Sequence, residues 1–147
     1  MTENPSAPAA SVVPILVYAD VAKAVEWLCQ AFGFVERLRV EQKGVVFHAQ
    51  LIVGDGALML GRQGAEYRPP RAGEVSQYVH VSVENVDQHF ERAKAAGARV
   101  VSTPHNMPFG ERQYSVEDPE GHRWTFSQHV ADVPPEEWGA TVAPRSQ

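Results

Sequence analysis

The spacing of apolar residues along the chain changes period in a fixed order, and the same order occurs twice. Residues 12–18 are a β-branched and aromatic run that predicts a buried strand. Val21, Val25, Leu28 and Phe32 then recur at the spacing of one helix face. Asp20 stands where its carboxylate can accept hydrogen bonds from first-turn N–H groups, and Gly33 offers a left-handed stop. Strands follow over 35–41, 45–53 and 57–60. The second copy runs through a strand at 78–83, a helix at 86–96, and strands at 99–102, 112–117 and 123–128. Asn85, with Gln88 three residues on, has the spacing of a capping box. Gly54-Asp55-Gly56 in the first copy matches Asp118-Pro119-Glu120-Gly121 in the second.

Between the copies, residues 62–76 have no periodicity and carry Pro69-Pro70, which marks a linker. Residues 1–10 read as a flexible tail and 131–147 as an extension with one helical turn near Pro135. The expected domain is 11–130, with modules at 11–61 and 77–128. The fold class is α+β: two βαβββ modules forming a cupped mixed sheet with helices on its outer face. A duplicated sheet module tends to enclose a site between its halves.

Alternation along each strand separates two faces. One collects Leu16, Tyr18, Phe47, Ala49, Leu51, Val53, Leu58, Leu60, Val79, Val81, Val83, Tyr114, Val116, Trp124 and Phe126, and is expected to pack under the helices. The other mixes imidazoles, amides and hydroxyls with apolar groups, as ligand pockets do. The binding candidates on or beside it are His48, Gln50, Met59, Tyr78, His80, Met107, Phe109, Arg112, Gln113, Ser115 and Thr125. His48 and His80 are either wall residues or, if their strands are neighbours, a paired site. Met107 and Phe109 fall in a predicted loop, 104–110, and read as a lid. Arg112 is open to two readings: an anion contact at the pocket mouth, or an ion pair with Glu111, Glu117 or Glu120. His122 reads as capping or packing locally, while His89 on a helix surface, His105 in a loop and His129 at the tail show no partner.

Composition narrows the function classes. A formal net charge of −5 without a basic stripe argues against nucleic-acid binding. Arg62, Arg68 and Arg71 form the one basic cluster, diluted by Glu66 and Glu74. Cys29 is the single cysteine, so no intrachain disulfide is expected, and its helical position suits a small hydrophobe. No apolar run reaches membrane-spanning length, and the N-terminus lacks signal-peptide character, which gives a cytoplasmic expectation. No nucleophile elbow or phosphate-binding glycine loop occurs.

The repeated βαβββ unit, the Asp118-Pro119-Glu120-Gly121-His122 turn and the Gly54-Asp55-Gly56 hairpin resemble the vicinal oxygen chelate superfamily over residues 11–130. This is the glyoxalase, bleomycin-resistance and extradiol-dioxygenase group. The stretch from Phe109 to Ser127 and the tail 132–137 are similar to its glyoxalase-like and PhnB-like members. The resemblance implies metal ligands at four positions, the start of the first strand and the fourth strand of each module. Those positions hold Val13, Met59, Tyr78 and Thr125. Val and Met are not ligands for hard metals and Thr is a poor one, so no metal or other cofactor is expected. The resemblance also implies a homodimer. The expectation is a protein that binds a small organic molecule, with a sequestering role. The alternative is a lyase or isomerase acting on a carbonyl compound through His48, His80 or an atypical metal site.

Overall fold

A computed structural model gives the architecture and describes residues 4–144. Residues 1–3 of the expected tail and 145–147 of the extension lie outside the described residues. The first module comprises β1 (Ile15–Tyr18), α1 (Val21–Phe32), β2 (Val35–Gln42), β3 (Val45–Val53) and β4 (Gly56–Arg62). The second comprises β5 (Val79–Ser82), α2 (Val86–Ala95), β6 (Arg99–Asn106), β7 (Glu111–Glu117) and β8 (Arg123–His129). Each module forms a four-stranded mixed sheet, in the orders β1-β4-β3-β2 and β5-β8-β7-β6. The only parallel pair in each is the first strand against the fourth. These are the two expected βαβββ modules.

Both helices start where the sequence places them. The Asp20 side chain accepts from Lys23 N, and the Asn85 side chain from Gln88 N. Gly33 closes α1 in the left-handed region at φ 77°. Its missing Cβ also leaves room for the Arg92 guanidinium, which would lie 2.9 Å from that atom. Arg92 crosses from α2 to donate to the Gln30 carbonyl at 2.8 Å, so this stop doubles as a joint between modules.

The inner faces of both sheets and both helices share one apolar core. Phe32 and Phe34 from the first module meet Trp124 and Phe126 from the second, with ring centroids 4.6 to 6.5 Å apart. Such tilted aromatic pairs add about 0.5–1.5 kcal/mol each beyond their burial.

Two expectations about the strands need correction. Phe47 is not a core residue: it is 41% exposed, while Val46 is buried. A register shift opposite Val40 and Glu41 inserts an extra residue and turns Phe47 outward, where Arg62 lies over its ring. The first part of the predicted loop 104–110 is strand, since β6 continues to Asn106. Pro104 is tolerated because β6 pairs on one side only and its register shifts between Ser102 and His105. Only a tight turn remains at 107–110.

Candidate functional site

The concave face of the second module carries a cavity of about 830 Å³. Its floor is built by register. His80 lies opposite Thr125 on β8, and Thr125 lies opposite Ser115 on β7. The Ser115 and Thr125 hydroxyls bond each other at 2.7 Å, and both stay half-buried or buried. Tyr78 and Val101 add exposed apolar surface, and Met107 and Phe109 come from the turn. Tyr78, His80, Met107, Phe109, Gln113, Ser115 and Thr125 therefore line one cavity.

A polar chain crosses the same face. Gln113 Nε2 donates to Ser127 Oγ at 3.2 Å, and Ser127 donates to Glu111 Oε1 at 2.7 Å. His129 then bridges two carboxylates, donating from Nδ1 to Glu111 and from Nε2 to Asp132, both at 2.6 Å. With both ring nitrogens donating, His129 is an imidazolium, and the two carboxylates hold its pKa above the ordinary value. Burial alone would raise the Glu111 pKa, but bonds from Ser127 and His129 bring it below the usual value. This pairing fixes the start of the C-terminal extension. Farther on, Trp138 packs on Phe109 at 5.6 Å between ring centroids.

His48, Gln50 and Met59 are not in that cavity. They belong to the first module, so His48 and His80 stand on different sheets and do not form a pair. Residues 4–8, expected as part of a flexible tail, cross that first face. Gln50, 2% exposed, donates to the Ser6 carbonyl at 2.9 Å. Arg37 donates to Gln50 Oε1 at 2.5 Å and to the Asn4 and Ala7 carbonyls at 2.5 and 3.2 Å. Gln50 Nε2 also lies 3.1 Å from His48 Nε2, so that nitrogen accepts. Pro8, in the same segment, is buried.

Arg112 does not line the cavity. It takes neither of its expected roles, because Asp87 on α2 accepts from it at 3.0 Å and Asn106 at 3.1 Å. Reading along β7 could not reveal a partner on a helix.

Two further histidine environments were also invisible in the sequence. His89 is half-buried between modules rather than on a helix surface. Its Nε2 donates to the Phe32 carbonyl at 3.0 Å, so its Nδ1 accepts from the Tyr114 hydroxyl at 2.5 Å. Burial lowers its pKa despite the Phe32 bond, and so favours the neutral ring. His122 is no local cap: it donates to Val17 O at 2.6 Å and packs on Tyr18. Beside it, the buried Asp118 accepts from Tyr18 Oη at 2.6 Å and Trp124 Nε1 at 3.1 Å. The repeated turn thus ties the modules together.

Between β1, β5 and the linker lies a second cavity of about 770 Å³, lined by Ile15, Tyr78, Arg68 and Arg71 among others. Of the four positions where the fold would hold a metal, only Tyr78 and Thr125 line a common cavity. Val13 and Met59 offer no nitrogen or oxygen side-chain donor, so this set does not fit a divalent cation. Among the described residues, no group of three or more His, Cys, Asp or Glu side chains is arranged to hold a metal.

The duplicated modules and the concave face define a family. Residues 10–126 match the Glyoxalase/Bleomycin resistance protein/Dioxygenase superfamily model, and the chain belongs to that superfamily. It is similar to the TioX crystal structure from Micromonospora sp. ML1, at 41% identity and a TM-score of 0.69, over 83% of this chain and 100% of that one. The genomically encoded fosfomycin resistance protein FosX of Listeria monocytogenes shares the fold at 14% identity and TM-score 0.62, over 83% and 94% of the two chains. An uncharacterized protein of Mycobacterium bovis is 34% identical over 137 residues, covering 88% of this chain and 90% of its own. Among the described residues, no helix is long and apolar enough to cross a membrane.

Proposed function

We propose that this protein binds a small organic molecule, without a metal, on the concave face of its second module. One observation carries the reading: five side chains of the mixed polar and apolar face, with Met107 and Phe109 from the turn beside it, line one cavity of about 830 Å³. That volume lies in the range of small-molecule sites, and the lining has their composition of apolar walls with a few placed polar groups. The role is sequestration in the cytoplasm. The binding unit is a homodimer, in which exposed apolar side chains such as Ile15 and Tyr78, each 61% exposed, have a partner to cover them.

A second reading is favoured by His80, whose imidazole lines the cavity beside the Ser115 and Thr125 hydroxyls. In that reading His80 is the general base of a lyase or isomerase acting on a carbonyl compound. Thermal-shift screening of a broad compound set, with and without chelator, separates the two. Binding predicts ligands that stabilise the chelated protein, about 2.7 kcal/mol at 100 times the dissociation constant. Stoichiometric metal lost in His80→Ala, with turnover of a carbonyl compound, would replace the binding reading with the enzyme one.

A further inference from the structure

Arg123 is the only residue with a full charge among those lining the second-module cavity, and no Asp or Glu lines it. Its setting is built rather than incidental. Arg123 Nη2 donates to Glu117 Oε2 at 2.7 Å, and Arg99 pairs with the other oxygen of the same carboxylate. Glu117 is 4% exposed, so two guanidinium groups share one buried carboxylate and the trio carries net charge of one positive unit. Among the described residues, Arg123 Nε is buried with no hydrogen-bond partner, which leaves that guanidinium one bond short.

The adjoining linker cavity repeats the sign. Arg68, Arg71 and Arg123 line it against one carboxylate, Glu74, and it shares Val75, Ser76, Tyr78 and Arg123 with the first cavity. The chain as a whole is acidic, at −5, so this positive stretch runs against the global charge. Glu111, on the same strand as Gln113 and Ser115, is occupied by Ser127 and His129.

From these observations we infer that the ligand is an organic anion: a flat apolar body carrying a carboxylate. The body lies against Tyr78, Val101 and Phe109, and the carboxylate is directed to Arg123. The inference rests on the proposed binding role and specifies its ligand class. A guanidinium fixed by a buried carboxylate needs no ordering when an anion arrives, so the charge acts mainly as a selector. A cationic drug is disfavoured by the same charge.

Three probes of one shape test it: naphthoate, naphthamide and naphthylmethylamine, titrated by calorimetry into the full chain. Naphthoate is expected to bind about tenfold more tightly than the other two, with a preference that shrinks as salt is raised. Arg123→Met should abolish the preference. Because that change also disturbs Glu117, an Arg68→Met/Arg71→Met variant, which leaves the buried trio intact, is expected to reduce the preference about threefold. Naphthamide or naphthylmethylamine binding as tightly as naphthoate would overturn the anion assignment while the binding role stands. Failure of all three probes to bind the wild-type chain would count against both.

Discussion

Asp118→Asn exchanges one oxygen of a buried carboxylate for an amide nitrogen, and every group around that carboxylate is a donor. Oδ1 accepts from the backbone N–H of Glu120 and His122 at 3.1 and 3.0 Å. Oδ2 accepts from the Tyr18 hydroxyl at 2.6 Å and the Trp124 indole at 3.1 Å. Whichever way the amide turns, one pair of donors faces its NH₂ group. The better orientation turns NH₂ toward Tyr18, whose hydroxyl can rotate to accept, but the indole N–H can only donate. Trp124 is 0% exposed, so its stranded N–H costs about 1–3 kcal/mol. Loss of the charge-assisted bond to Tyr18 adds about 1 kcal/mol. The expected destabilisation is about 3 kcal/mol, against about 1.5 kcal/mol for Tyr18→Phe, which leaves three donors in place. With a urea m value of about 2 kcal/mol/M, the Asn variant should unfold about 1.5 M earlier than wild type. The double variant should lose about 1 kcal/mol less than the sum, because the Tyr18 bond is counted in both single changes. An Asn variant no less stable than the Phe variant would falsify this account of the junction.

Two further predictions concern the outer contacts. Gly110→Ala should loosen the C-terminal extension and cost about 2–3 kcal/mol, since Gly110 has φ +87° and its added Cβ would collide with the Ala131 carbonyl; hydrogen exchange over residues 130–138 no faster than wild type contradicts it. The second is a pair of opposed pH responses. His89 has a folded pKa below its ordinary 6.5, so its contribution is complete above 6.5 and is lost as pH falls toward the folded value. His129 has a raised pKa, so its clasp is complete below 6.5 and is lost as pH rises through the folded value. Urea midpoints across this range should lose their acid limb in His89→Gln, and exchange at 130–138 should lose its alkaline rise in His129→Gln. Limbs unchanged in these variants would assign the titrations to other groups.

What the sequence carried well was local. Caps at Asp20 and Asn85, the stop at Gly33 and the duplicated strand order follow from side chains acting on their own backbone neighbours. Face assignment by parity worked on β7 and β8, where no register shift intervenes, and put Tyr114, Val116, Trp124 and Phe126 in the core. It failed at Phe47 because a bulge has no signature in the strand that carries it. Arg112 illustrates a second limit. Its neighbours along β7 include two carboxylates, yet its partner is Asp87, 25 residues earlier on a helix. His122 reaches Val17 across 105 residues and Tyr18 reaches Asp118 across 100, distances that periodicity does not address.

The two modules share a fold but not a surface, and the difference bears on where a ligand can bind. Equivalent concave faces would offer two cavities per chain. On the first face, Arg37 and Gln50 instead satisfy their donors on the carbonyls of Asn4, Ser6 and Ala7. Those carbonyls belong to chain that any ligand there must displace, at the cost of three or more hydrogen bonds and the burial of Pro8. On the second face the polar groups bond sideways to one another, Ser115 to Thr125 and Gln113 to Ser127, leaving the space above them open. Duplication supplied two similar cups, and the N-terminal segment occupies one. Under the proposed function, that division leads to an expected stoichiometry of one ligand per chain rather than two.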